Sequence, residues 1–195
     1  CYTMLAALAQ HPSSIGLSSR VTGYTYRNPA VLAKTVTTLD HVSGGRATLG
    51  IGSGWFELEH NAFGIPFNTF TERFEKLEEA LQIIIPMLAD ERPTFSGDHY
   101  TVVEAINQPA PLSKIPIMIG GSGPKVTLKL TAQYADSWNT FGPPEHFAEK
   151  NQILNDWCEK LGRDPKGIER TVAIGGDDVD GIERYIEAGA EHIIV

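Results

Sequence analysis

The chain has 195 residues, with 16 Lys and Arg against 24 Asp and Glu, for a formal net charge of −8. Apolar residues make up 42% and charged residues 21%, an ordinary globular composition that excludes a disordered chain, a collagen-like repeat and a disulfide scaffold. The acidic balance argues against a nucleic-acid partner, which would need a basic face for phosphates.

Short β-branched runs alternate with longer amphipathic stretches. Tyr2 to Ala9 already reads as a helix, without an initiator Met or a signal peptide before it, so the reading is that a native N-terminal segment is missing. Ser14 to Val21 reads as a strand. Asn28-Pro29 then opens a helix, because Asn is a good N-cap and Pro suits the first helical position. That helix stops at Ser43-Gly44-Gly45, a C-cap signal. Arg46 to Gly52 is the next strand. From about Thr71 to Ala89 the apolar residues Phe74, Leu77, Leu81, Ile84 and Ile85 recur at helical spacing, with Pro86 expected to bend or end the helix. Thr94 to Val102 reads as a hairpin turned at Gly97-Asp98. Ile115 to Ile119 is a strand, and Gly120 to Pro124 lead into a helix ending near Tyr134. Ser137 to Thr140, Glu145 to Leu161 (capped by Gly162), Thr171 to Ile174, Asp180 to Ala188 and His192 to Val195 continue the alternation.

Strands alternating with helices mean an α/β fold with a parallel sheet. The pattern yields about six strands against the eight of a (β/α)8 barrel, so an open sheet and a barrel both remain open at this point. No linker or repeat divides the chain, which reads as one domain over 1–195. The most apolar run, Leu81 to Ala89, is interrupted by Gln82 and Pro86 and falls short of the roughly 18 residues of a membrane span, so no membrane partner is expected. Cys1 and Cys158 form neither a framework nor a metal-ligand spacing, which favours a reducing, cytoplasmic setting.

In either architecture ligands gather where strands run into helices. Three loops stand out: Thr22 to Pro29, Gly52 to His60, and Gly120 to Gly123. The last reads as opening a helix, where free N–H groups suit a phosphate, although glycine is also plain turn chemistry there. Elsewhere the expectation is structural. Arg46 is a candidate partner for Asp40. Glu57, Glu59 and His60 match no strong metal pattern and read as a solvated, salt-bridged segment; no metal is expected. His41 and His99 read as surface residues without partners, and Glu78-Glu79 as an exposed helix face.

Three runs taken together carry a resemblance. They are Val21-Thr22-Gly23-Tyr24-Thr25-Tyr26-Arg27-Asn28-Pro29-Ala30, then Leu39-Asp40 with Ser43-Gly44-Gly45-Arg46, then Leu49-Gly50-Ile51-Gly52 with Gly54-Trp55 and Glu59. Phe63-Gly64, Arg73 with Leu77-Glu78-Glu79, Ile117 to Gly123, and Ala135-Asp136 with Trp138-Asn139 extend it over nearly the whole chain. In order and spacing the chain resembles the luciferase-like monooxygenase superfamily, within it the class that uses the deazaflavin coenzyme F420. The resemblance implies a (β/α)8 TIM-type barrel whose first two strands and last helix are absent from this chain. It also implies a longer stretch at Ile174-Gly175, read as residues skipped there.

The resemblance further implies a non-prolyl cis peptide at Arg20-Val21, with Val21 and Thr22 behind the central ring of the cofactor. Gly52, Ser53, Gly54 and Trp55 would wrap the ring and side chain, and Gly120, Gly121, Ser122 and Gly123 would bind phosphate. Glu59, Trp138 and Asn139 are candidates for the substrate side, and no catalytic base is assigned. The implied activity is hydride transfer between F420 and a small organic substrate, with the protein orienting both and excluding water. Two alternatives are an FMN-dependent two-component monooxygenase with a partner reductase, and a flavin-binding barrel without turnover. A homodimer is expected. The helix from Pro29 to Val42 is a candidate interface, but its apolar stripe favours packing on the core.

Overall fold

A computed structural model describes residues 1–11 and 14–195. They divide into two compact units, Cys1–Pro116 and Ile117–Val195.

The first unit opens with helix α1 (Tyr2–Ala9). Of the strand expected over Ser14 to Val21 only β1 (Leu17–Ser18) forms, and a second short strand, β2 (Thr22–Gly23), follows just beyond it. Each runs parallel to a strand further along the chain, β3 (Ala47–Gly52). Leu17 lies opposite Ala47, and Thr22 opposite Ile51. Between the two pieces the backbone presses on β3. A Cβ at Gly50 would lie 1.9 Å from the Ser19 carbonyl oxygen. The Arg20-Val21 peptide is cis, as the resemblance implies.

Helix α2 (Pro29–Ser43) has the caps that its sequence announces. The Asn28 side chain accepts from the N–H of Ala30 at 3.0 Å and of Val31 at 3.4 Å. Gly44 closes the helix at φ 69°, and the Gly45 N–H donates to the Asp40 carbonyl. Leu32, Val36 and Leu39 are buried, so its apolar stripe faces the core. The expected Arg46–Asp40 pair does not form. Arg46 donates instead to the carbonyls of Ser43, Ile15 and Ala9, stitching α1 and the approach to β1 onto the helix-to-strand turn. Asp40 is fully buried and accepts the Leu112 N–H at 2.8 Å.

Helix α3 (Glu57–Ala62) precedes α4 (Phe70–Leu88). A capping box at Thr69 and Glu72 starts α4. The helix continues two residues beyond Pro86. So close to the end, the missing N–H leaves one carbonyl of the ladder without its donor and does not stop the chain. The hairpin forms as read, from β4 (Phe95–Ser96) and β5 (Thr101–Val102). Glu79 is not an idle exposed residue. Its carboxylate accepts the N–H groups of Asp98 at 2.8 Å, His99 at 3.0 Å and Tyr100 at 2.9 Å, and so grips the hairpin turn. The two histidines read as unpartnered also have partners. His41 Nε2 donates to the Ala110 carbonyl at 2.7 Å, and His99 Nε2 lies 3.2 Å from Glu75.

The second unit is a parallel sheet in the order β6 (Ile117–Gly120), β7 (Ser137–Phe141), β8 (Glu169–Ala173), β9 (His192–Ile194). Helices α5 (Thr127–Tyr134), α6 (Pro144–Leu161) and α7 (Ile182–Glu187) separate successive strands. The helix expected from Asp180 begins later, because residues Gly176–Gly181 form a 3-10 turn first. Leu128, Trp138, Phe147, Leu154 and Val172 form the centre of this core. Cys158 is buried with them, and burial pushes its thiol up from the ordinary range, which makes it inert.

Candidate functional site

In the first unit β2 and β3 end side by side, with Gly23 opposite Gly52. Thr22 is buried and Val21 half-buried at this edge. The turn Gly52-Ser53-Gly54-Trp55 leaves β3 and is seated on the preceding loop. Gly54 adopts φ 74°, and a Cβ there would stand 3.3 Å from Thr25 Oγ1 and 3.5 Å from the His60 ring. Trp55 is 83% exposed, and its ring lies 5.2 Å from that of Phe56. Leu58 and Phe63 are exposed as well, so the rim is apolar where it meets solvent.

Beneath the turn lies a cluster that sequence reasoning missed. His60 is fully buried, which corrects its reading as part of a solvated segment. Its Nδ1 lies 2.8 Å from the Phe56 carbonyl, and its Nε2 lies 2.8 Å from Thr25 Oγ1. The Tyr26 ring sits 4.8 Å from the His60 ring, and the Phe67 ring meets it at 4.9 Å. Tyr26 donates its hydroxyl to the Glu59 carboxylate. Desolvation, and then the neighbouring Glu59 carboxylate, push the Tyr26 phenol up to about 12. Glu59 is thus half-buried and engaged with Tyr26 at this rim. Beyond Phe67, the Arg73 guanidinium lies 3.9 Å from that ring's centre. The Tyr24 phenol is 2% exposed, and burial raises its pKa. The one signal for this cluster in the sequence is the aromatic company that His60 keeps, with Phe56, Phe63 and Phe67 close by in the chain.

In the second unit Gly120, Gly121, Ser122 and Gly123 leave the end of β6. The helix does not follow at once, since α5 starts at Thr127. The Thr127 side chain packs under the turn. A Cβ on Gly123 would lie 2.7 Å from its hydroxyl, and Gly121 has φ 122°. The backbone is tied down from β7, because the Gly121 N–H donates to the Asn139 carbonyl at 2.9 Å.

Trp138 and Asn139, the two β7 residues expected on a substrate side, are both buried. Trp138 has no exposed surface; its ring stacks on Phe147 at 5.2 Å, and its indole N–H donates to the Gly121 carbonyl at 2.8 Å. Alternation along β7 sends Trp138 to the helix-covered face and Asn139 to the other. Asn139, 4% exposed, donates to Thr171 Oγ1 at 2.7 Å. Both therefore hold the glycine turn and the sheet. A cavity of about 700 Å³ opens instead at the ends of β7 and β8, lined by Phe141, Pro143, Ile174, Asp178, Arg184 and Tyr185 among others.

The chain as a whole is similar to known proteins. The luciferase-like monooxygenase family matches residues 1–176, and the chain belongs to that family. It is 33% identical over 174 residues to an F420-dependent glucose-6-phosphate dehydrogenase of Microbacterium testaceum, covering 87% of this chain and 51% of that protein. A protein of the same description from Kineococcus radiotolerans is 34% identical over 171 residues, 86% of this chain and 50% of the relative. The chain thus spans about half the length of these curated relatives. Among solved structures, an F420-dependent secondary alcohol dehydrogenase in complex with an F420-acetone adduct superposes with a TM-score of 0.88 at 20% identity, covering 100% of this chain and 77% of that one. The α/β fold is accordingly that of the TIM-type luciferase-like barrels.

Proposed function

We propose that the chain is part of an F420-dependent oxidoreductase that transfers hydride between the deazaflavin and a small organic substrate. The observation that carries this reading is the Gly52–Trp55 turn. Gly54 at positive φ lies against Thr25 and His60, which leaves backbone and the exposed Trp55 ring free to meet a flat ring system. F420-dependent relatives support the same cofactor. Val21 and Thr22 would back the ring, with Gly52, Ser53, Gly54 and Trp55 around it. Gly120, Gly121, Ser122 and Gly123 would take the phosphate, since an open glycine turn allows close backbone approach. Glu59, engaged with Tyr26, would stand at the substrate side. The bound deazaflavin supplies a carbon that accepts or gives hydride; the chain supplies orientation, polar contacts and exclusion of water. The partners are a small substrate and a second copy of the chain, in the cytoplasm. No helix among the described residues is long and apolar enough to cross a membrane.

Equilibrium binding of oxidised F420 and of FMN to the full-length protein, followed side by side by fluorescence, tests the assignment. The expected result is preference for F420. Preference for FMN would move the chemistry to oxygen activation with a partner reductase. Binding of neither by a folded protein would overturn the cofactor assignment.

A further inference from the structure

The ladder between β7 and β8 ends at Phe141 opposite Ala173, and the cavity of about 700 Å³ opens beyond that pair. Its size is that of a small-molecule site. Both turns around it are fixed by the chain itself. Gly142, at φ 112°, turns β7 into α6, and a Cβ there would stand 3.1 Å from the His146 ring behind it. In the turn after β8 the Asp178 N–H donates to the Gly175 carbonyl at 3.0 Å, and the Asp178 carboxylate accepts the Gly175 N–H at 3.4 Å. One wall is apolar: Phe141 is 67% exposed, with Pro143, Pro144 and Ile174 beside the same space.

The polar part of the lining lacks a partner. Tyr185 borders the cavity and is 4% exposed, yet its hydroxyl makes no hydrogen bond among the described residues. A buried hydroxyl in that state costs free energy until a partner arrives. Burial, with the Asp178 carboxylate nearby, pushes the phenol above its ordinary pKa, so at neutral pH it keeps its proton and offers its lone pairs. Asp177 and Asp178 stand exposed at the rim. Arg184 is the only Lys or Arg among the lining residues, and its guanidinium is ion-paired with Glu145. Three carboxylates against one guanidinium leave the surroundings of the cavity with a surplus of negative charge.

We propose that this cavity binds a cationic amine carried on a small apolar body, with the ammonium among Asp177, Asp178 and the Tyr185 hydroxyl and the body against Phe141, Pro143 and Ile174. The charge fits the carboxylates, and an ammonium N–H meets the unused lone pairs of the phenol. A phosphate ester is disfavoured in the same space, because it would face the carboxylates while Glu145 already holds the one guanidinium. The site belongs to the second unit alone and does not depend on the deazaflavin reading.

Three probes with one body and different head groups test this: cyclohexylamine, cyclohexanol and cyclohexyl phosphate. Each is titrated at neutral pH and low salt into the full-length protein, with amide NMR shifts as the readout. The amine should move the amides of Gly175, Asp177 and Arg184 and bind about tenfold tighter than the alcohol, the combined effect of two exposed carboxylates. The phosphate should bind more weakly than the alcohol. High salt should shrink the amine's advantage. The double variant Asp177→Asn/Asp178→Asn keeps the acceptor for the Gly175 N–H, and it should bring the amine down to the level of the alcohol. Tyr185→Phe keeps the ring and should weaken amine and alcohol alike by about fivefold, the worth of one hydrogen bond. If that variant fails to fold, the double variant, at exposed positions, decides by itself. Tightest binding of the phosphate, equal binding of amine and alcohol, or an amine advantage that survives the double substitution overturns the proposal. So does a titration in which no probe moves those amides.

Discussion

At position 50 the backbone leaves room for a hydrogen and nothing larger. A Cβ would meet the Ser19 carbonyl oxygen at 1.9 Å, a contact with backbone that cannot swing aside. Gly50→Ala should therefore destabilise the chain by about 3 kcal/mol, the upper range of overpacking, seen as a lower midpoint in urea denaturation. Tyr26 carries a second prediction. Its phenol is held at about 12, above the ordinary 10, by desolvation and the Glu59 carboxylate. A folded-state pKa above the unfolded one means full stabilisation below pH 10 and loss as pH rises from 10 to 12, because only the unfolded chain has released its proton there. Denaturation midpoints across that window should fall for the native sequence and flatten for Tyr26→Phe; a fall of equal slope in both would refute the assignment.

Helices announced their own ends. Asn28-Pro29, Gly44 and Gly162 are local signals, and the caps form where they stand because their partners lie within a few residues. Removing one should cost what a single cap is worth: Asn28→Ala should lower stability by about 1 kcal/mol. The early end of β1 was illegible for the opposite reason. The bulge beyond it depends on Gly50, on a neighbouring strand, so the run from Ser14 to Val21 looks continuous when read alone. Glu79 shows the same limit. Its role in holding the hairpin rests on amides at positions 98–100, beyond any helical period. Glu79→Gln keeps the shape of the side chain but removes its charge and one acceptor oxygen. Amide exchange at Asp98, His99 and Tyr100 should accelerate by about tenfold, the effect of roughly 1.4 kcal/mol lost from charge-assisted bonds, while amides in β3 stay protected. Equal acceleration throughout would mean that Glu79 supports the whole unit.

At the scale of the molecule, the alternation of strands and helices was legible, since the two periodicities are written along the chain. The candidate site was legible only in its glycines. Gly52, Gly54 and Gly120 to Gly123 mark where backbone turns at strand ends. Nothing in the spacing of Trp138 showed that it packs behind the turn, because that depends on Phe147 from the next helix. Thr25 and His60, 35 positions apart, meet through the fold alone. Reading the chain as one domain also gives an expected outcome. A core in a unit of about 80 residues or fewer rarely supplies more than ~3–5 kcal/mol, which makes the segment Ile117–Val195 marginal by itself. Strands of a parallel sheet also rely on cover over both faces, which single small units seldom provide. Urea unfolding of the full-length protein should then show one transition. Amide exchange in β8 reports the second unit, and amide exchange in β3 reports the first. Coincident midpoints from the two probes are the signature of a cooperative whole. Midpoints that separate would show that the two units each fold on their own, and the cofactor turns on them would then have to be tested as independent elements.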